Sequence, residues 1–178
     1  SILSTEGKER VLIVEDNPDV RSFLNETLQG FGYQVIEAED GQIGLEQAKR
    51  HQPDLIISDV MMPRMDGFSF AKAIREDVNS SHIPLIMLTA KASDESRITG
   101  LETGVDAYLT KPFNAKELQV RIARLIEQRK QLQQKFSTSM TIRPEEVSAI
   151  PMDQAFLATI TQTIETNFTN PQFGVERL

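Results

Sequence analysis

Three carboxylates, a hydroxyl and an ammonium each stand directly after a short apolar run: Glu15 and Asp16, Asp59, Thr89, and Lys111. Singly, each has an ordinary explanation. An acid after a strand commonly caps a helix, a threonine makes a turn, and a lysine is solvated. Gathered in one place they describe a single chemistry. Carboxylates within a few ångströms raise one another's pKa unless a cation compensates. A hard oxygen site with few carboxylates and room for water suits Mg2+. His51 and His82 stand apart from the set, which argues against a transition metal. Lys111 can pair with a carboxylate or a phosphoryl oxygen, and Thr89 offers a hydroxyl donor. The set reads as a magnesium-assisted phosphoryl-acceptor site with Asp59 as its nucleophile.

The elements that must position these residues follow from the apolar runs. Residues 11–14, 33–36, 55–57, 84–88 and 107–109 are short, rich in β-branched side chains and bounded by turn residues, so they are predicted strands. They are apolar throughout rather than alternating, the mark of a sheet covered on both faces. Helix-length segments separate them. Val20, Phe23, Leu24 and Leu28 make one stripe on a helix that Gly30 can end, and Asp40 can cap a second helix carrying Ile43, Leu45 and Ala48. Asp40-Gly41 also resembles a hairpin turn, against the helical pattern that follows it. Phe68, Ala71, Ile74 and Val78 mark a third helix opened by Asp66-Gly67; residues 93–102 are a sparse fourth with Gly100 inside it; Leu118, Ile122, Leu125 and Ile126 begin a long fifth. The order is (βα)5. Right-handed crossovers then give an α/β, doubly wound, flavodoxin-like five-stranded parallel sheet of order 2-1-3-4-5, with its ligand crevice at the carboxyl ends of strands 1 and 3.

Composition sets the outer bounds. The chain has 178 residues, 25% of them charged, with net charge −7 and no Cys, which excludes thiol catalysis and Cys-based zinc and argues against a broad nucleic-acid surface. No apolar run is long enough for a membrane span, and no signal-peptide pattern is present, so a cytoplasmic protein without membrane contact is expected. The first residue is Ser rather than Met, as tag removal or excision from a longer chain would leave it.

Four ordered motifs make the sequence familiar: residues 11–17 (VLIVEDN), 54–67 (DLIISDVMMPRMDG), 84–91 (PLIMLTAK) and 104–113 (GVDAYLTKPF). Together they strongly resemble the receiver domain of bacterial two-component response regulators, over roughly residues 10–129. The resemblance implies that Asp59 is the phosphorylated residue, and that Glu15, Asp16, Asp59 and the main-chain carbonyl of Met61 serve Mg2+. It places Thr89 and Lys111 on the phosphoryl oxygens and makes Tyr108 the switch aromatic. The Lys111-Pro112 bond is often cis in such domains. Many relatives have Asp where Glu15 stands, so the longer side chain is expected to reach the metal through water. Met61 and Lys91, two residues beyond Asp59 and Thr89, are expected to tune the lifetime of the acyl phosphate. The donor is expected to be a phosphohistidine on a separate histidine kinase, and the output to pass through the face built by the fourth helix, fifth strand and fifth helix, which also offers Asp106, Arg121 and Arg124 for a homodimer. Two other functions compete. A haloacid-dehalogenase-type phosphatase would want a second Asp where Met61 stands, and a phosphate-independent interaction module would be expected to lose the pocket residues that are present here.

The chain is expected to divide into a flexible start (1–9), the receiver (10–130), a helical extension and linker (131–151) and a tail (152–178). Leu118, Ile122, Leu125, Arg129, Leu132 and Phe136 follow alternating steps of four and three, a heptad seam interrupted by one Arg. Residues 137–151 are Ser/Thr-rich with Pro144 and read as a linker. Asp153 can then cap a helix bearing Leu157, Ile160, Ile164 and Phe168. This tail resembles the beginning of an AraC-type helix-turn-helix domain, as found after the receiver in hybrid sensor kinase/regulator proteins. The recognition helices would lie beyond Leu178, so DNA contact is expected only through the missing remainder.

Overall fold

A computed structural model describes residues 7–90 and 104–140, with side chains through residue 138. Lys91, the segment 93–102 and the tail beyond residue 140 lie outside the described residues. The chain divides into two units, 1–131 and 132–178. The first carries five strands, β1 (Arg10–Val14), β2 (Gln34–Ala38), β3 (Leu55–Asp59), β4 (Leu85–Thr89) and β5 (Ala107–Thr110), and the helices α1 (Pro18–Gly30), α2 (Gly41–His51) and α3 (Gly67–Glu76). A long helix, α4 (Ala115–Met140), begins there and runs on past residue 131; it is the fifth helical segment of the sequence.

All strand pairs are parallel, in the order β2-β1-β3-β4-β5. This is the doubly wound sheet expected from the sequence, and the period of two along each strand explains the unbroken apolar runs. Val11 and Ile13 of β1, Leu55 and Ile57 of β3, and Ile86 and Leu88 of β4 pack with Leu24 and Leu28 of α1 and Leu118, Ile122 and Ile126 of α4. Their neighbours Leu12, Val14, Ile56, Leu85 and Met87 point the other way, onto Ala48 of α2 and Phe70, Ala71 and Ile74 of α3.

Local chemistry sets the helix ends, with some differences from expectation. Asp40 and Asp66 cap α2 and α3, accepting from the Ile43 and Ser69 amides at 2.8 and 2.7 Å. The residue that turns the chain after α1 is Gly32, at φ 95°, rather than Gly30, which is still helical. Phe23 of the predicted α1 stripe is 54% exposed, because the buried edge of the helix is only Leu24 and Leu28 wide. In α3 the spacing chose Val78, yet that residue is 87% exposed. The helix has already ended at Glu76, and Phe70 supplies the large buried side chain instead. Gly44 lets α2 lie close to the sheet: a Cβ there would stand 2.9 Å from Val14 Cγ2.

The chain start and the long helix also depart from the simple reading. Glu9, in the stretch expected to be flexible, accepts the Gln34 amide at 2.9 Å, and Arg10 opens β1 with its amide donating to Asp54 Oδ2 at 2.8 Å. Arg129 does not interrupt a seam. Its guanidinium donates to the Pro53 carbonyl at 3.1 Å and lies 3.8 Å from Asp54 Oδ1. Beyond it Leu132 and Phe136 are exposed. The helix continues through residue 137, where a linker was expected, and Ser137 and Thr138 turn their hydroxyls back onto the Gln133 and Gln134 carbonyls, both at 2.9 Å. Among the described residues no helix is long and apolar enough to cross a membrane.

Candidate functional site

Register brings the chemistry to one rim. Val14 is level with Ser58, Asp59 with Leu88, and Thr89 with Thr110, so the carboxyl ends of β1, β3, β4 and β5 finish side by side. Asp59 is the last residue of β3, and its Oδ1 accepts the Val60 amide at 2.9 Å. Behind it, Gly67 donates its amide to the Val60 carbonyl at 2.8 Å, and a Cβ on Gly67 would run into the main-chain carbonyl of Asp59. Only glycine allows α3 to start so close to that strand end.

Glu15 follows β1 and is held on every side. Its amide donates to the Ala38 carbonyl at 3.1 Å, its own carbonyl accepts Arg21 Nη1 at 2.7 Å, and its Oε1 accepts the Asn17 amide at 3.1 Å. Asn17 also caps α1, with Pro18 in the first turn, so one short segment both starts the helix and fixes the acid. Lys111 reaches in from the end of β5. Its amide donates to the Thr89 carbonyl at 2.7 Å, the following bond to Pro112 is cis, and its Nζ lies 3.3 Å from Glu15 Oε2 and 3.4 Å from Asp59 Oδ1.

Glu15, Asp16 and Asp59 each place a carboxylate oxygen within 4.8 Å of the others, with Glu15 and Asp59 buried and Asp16 exposed. Three negative charges face one ammonium. Burial pushes the Glu15 carboxyl above the usual range, and the charge of Asp59 adds to it against the pull of the Asn17 amide and Lys111. The donor set therefore fits a hard divalent cation: all-oxygen, short of positive charge, and open on the Asp16 side.

The other expected residues divide. Thr89 is buried, one step beyond the strand partner of Asp59. Tyr108 is half-buried, and its enclosed hydroxyl has no hydrogen-bond partner among the described residues; desolvation raises its pKa. The Met61 side chain is 75% exposed. Lys91 lies outside the described residues. Asp106, offered as a charge for a dimer face, is tied up within the domain: its Oδ2 accepts Arg75 Nη2 at 2.7 Å and the Leu85 amide at 2.8 Å. Arg21 was missed, because a lone Arg on a helix gives no signal of the carbonyl it will meet. Asn17 was missed as well, although Asn-Pro after an apolar run is a helix-start signature that could have found it.

Comparison with known proteins agrees with this geometry. Residues 11–123 match the response regulator receiver domain. The chain is 40% identical over 174 residues to histidine kinase P4 of Formosa agariphila, a match covering 98% of this chain and 13% of that protein. It is 45% identical over 120 residues to a probable transcriptional regulator ycf27 of Guillardia theta, covering 67% of this chain and 46% of the relative. The chain thus spans less than half the length of either. Among solved structures, chemotaxis protein CheY4 of Vibrio cholerae is 39% identical with TM-score 0.65, covering 67% of this chain and 99% of that one. The receiver domain of a Pseudomonas aeruginosa sensor histidine kinase, solved with magnesium coordinated in its active site cleft, is 36% identical with TM-score 0.64, covering 68% of this chain and 99% of that one. The fold, the acidic rim and the match over residues 11–123 together make this chain a member of the response regulator receiver domain family of two-component signalling.

Proposed function

We propose that Asp59 takes a phosphoryl group from a phosphohistidine on a histidine kinase, in a site where Glu15, Asp16, Asp59 and the Met61 carbonyl hold Mg2+. The observation that carries this is the convergence of three carboxylates with Lys111 Nζ, from residues far apart in the chain. Bound there, Mg2+ supplies the positive charge that neutralises and orients the phosphoryl oxygens. Asp59 Oδ1 already accepts from Val60 and faces Lys111, so Oδ2 is the attacking oxygen. It forms the O–P bond as the P–N bond breaks, and that electron pair leaves with the imidazole. Lys111 and Thr89 hold the transferred oxygens. Drawing Thr89 toward them opens space into which Tyr108, whose enclosed hydroxyl has no partner among the described residues, turns further; the change passes to the face of β5 and α4. The domain is then a regulatory phosphoacceptor, with only self-phosphorylation from small acyl phosphates and self-dephosphorylation as its own chemistry.

Incubation with acetyl phosphate and Mg2+, read by intact mass, tests this. One phosphoryl group on the wild type and none on Asp59→Asn is expected. Steady turnover of phosphate monoesters would favour a phosphatase, and inertness an interaction module. Met61 excludes attacking water and Lys91 screens the phosphate, which favours a long-lived signal. Met61→Asn is therefore expected to shorten the phosphoryl lifetime several-fold, and a longer lifetime in the variant would refute it.

In the cell the domain belongs to a cytoplasmic hybrid sensor kinase/response regulator. Its tail, 152–178, begins an AraC-type output domain that carries DNA binding and transcription control. The match to the Formosa histidine kinase extends over 98% of the chain and so beyond the receiver, which supports the kinase context and leaves the AraC-type assignment resting on the sequence resemblance. A homodimer forms through the face that β5 and α4 offer. Support comes from a groove of about 570 Å³ there, where Ala107, Val120 and Leu125 stand among the charged and polar Asp106, Glu117, Arg121, Arg124 and Gln128.

A further inference from the structure

The loop joining β3 to α3 is tied to the start of α2 at two adjacent residues. Asp40, while capping α2 through Oδ1, turns Oδ2 to Arg64 Nη1 at 3.2 Å. The Asp40 side chain is 4% exposed, and Arg64 is its one ion-pair partner among the described residues. Arg64 itself sits at φ 67°, a left-handed conformation unusual for any residue but Gly or Asn. Next to it Met65 lies against Gly41, where a Cβ would stand 3.1 Å from the Met65 side chain. At the base of the loop the Gly67 amide closes onto the Val60 carbonyl. Between these anchors the main chains of Met61 and Met62 make no hydrogen bond among the described residues. The position of the Met61 carbonyl is therefore set by what holds the chain three residues further on.

We propose that the Asp40–Arg64 pair is a positioning device: by pinning the loop at Arg64 it aims the Met61 carbonyl into the acidic rim and so sets the affinity for a divalent cation. This rests on the magnesium site proposed above. Arg64 and Asp40 are positioning residues and touch no reacting atom. A purely stabilising role is a poor explanation, because the Arg64 side chain is 78% exposed and such pairs add little to stability.

The test is calorimetric titration of Mg2+ into the full chain and two variants chosen to spare the fold. Arg64→Asn keeps a residue at ease in the left-handed region but removes the charge. Asp40→Asn keeps the helix cap but removes the charge. Each is expected to weaken Mg2+ binding about three- to fivefold, the size of a partly exposed ion pair. The double variant should be no weaker than either single one. At saturating Mg2+, uptake from acetyl phosphate should return to the wild-type rate. Unchanged affinity in either single variant, or a double loss equal to the product of the two, would overturn the proposal. A wild type that binds no Mg2+ at all would instead overturn the site itself, so the two failures are distinguishable.

Discussion

The two ends of the sheet treat charge in opposite ways. At the carboxyl end, Glu15, Asp16 and Asp59 crowd around one lysine. At the amino end nearly every charge is matched. Arg75 donates to the carbonyls of Gly104, Ser81 and Ile83 at 2.9, 3.0 and 2.6 Å and pairs with Asp106 at 2.7 Å. Arg129 meets Pro53 and Asp54, and Lys130 meets Glu9 at 2.5 Å. The amino end is built for stability, while the carboxyl end gives stability up to hold like charges side by side.

Mutations at the two ends should separate these roles. The largest effect is on chemistry: Asp59→Asn should abolish phosphoryl uptake, a loss of more than about 100-fold, while its melting temperature stays at or above that of the wild type because one repelling charge is gone. Next is Arg75→Ala, which leaves three carbonyls and a carboxylate without their shared donor. Denaturant unfolding should show a loss of about 2–4 kcal/mol, with Mg2+ affinity of the folded protein unchanged. Glu15→Gln is smaller and of opposite sign. Because the folded pKa of Glu15 lies above its unfolded value, the folded state holds that proton more tightly, and stability falls as pH rises from the unfolded pKa through the raised one. Without metal the variant should therefore be the more stable at pH 7 and lose that advantage as pH falls toward 4.5. Mg2+ should raise the wild-type melting temperature more than the variant's. Smallest is Lys130→Ala, where a half-exposed pair with Glu9 predicts a loss of under about 1 kcal/mol that shrinks further in high salt.

Much of the fold and of the site could be read from the residues themselves, for a physical reason. Strands buried on both faces must be apolar throughout, so their ends are sharp, and the residues just past the ends stand out by chemistry. That is how Glu15, Asp16, Asp59, Thr89 and Lys111 were found. Spacing gives the face of a helix but not how far the core reaches along it, which is why Phe23 and Val78 were placed inside and lie outside. Long-range polar partners leave no local trace. Nothing near Arg64 announces Asp40, 24 positions earlier, and nothing near Arg129 announces Pro53.

The missing side chain at position 67 reaches beyond the turn it permits. With hydrogen alone on its α-carbon, this residue lets the first turn of α3 abut the end of β3, so the carboxylate at 59 inherits its aim from a helix rather than from a pliant loop. Even a methyl group there would have to push strand and helix apart, turning a steric fault outside the acidic cup into misalignment at its centre.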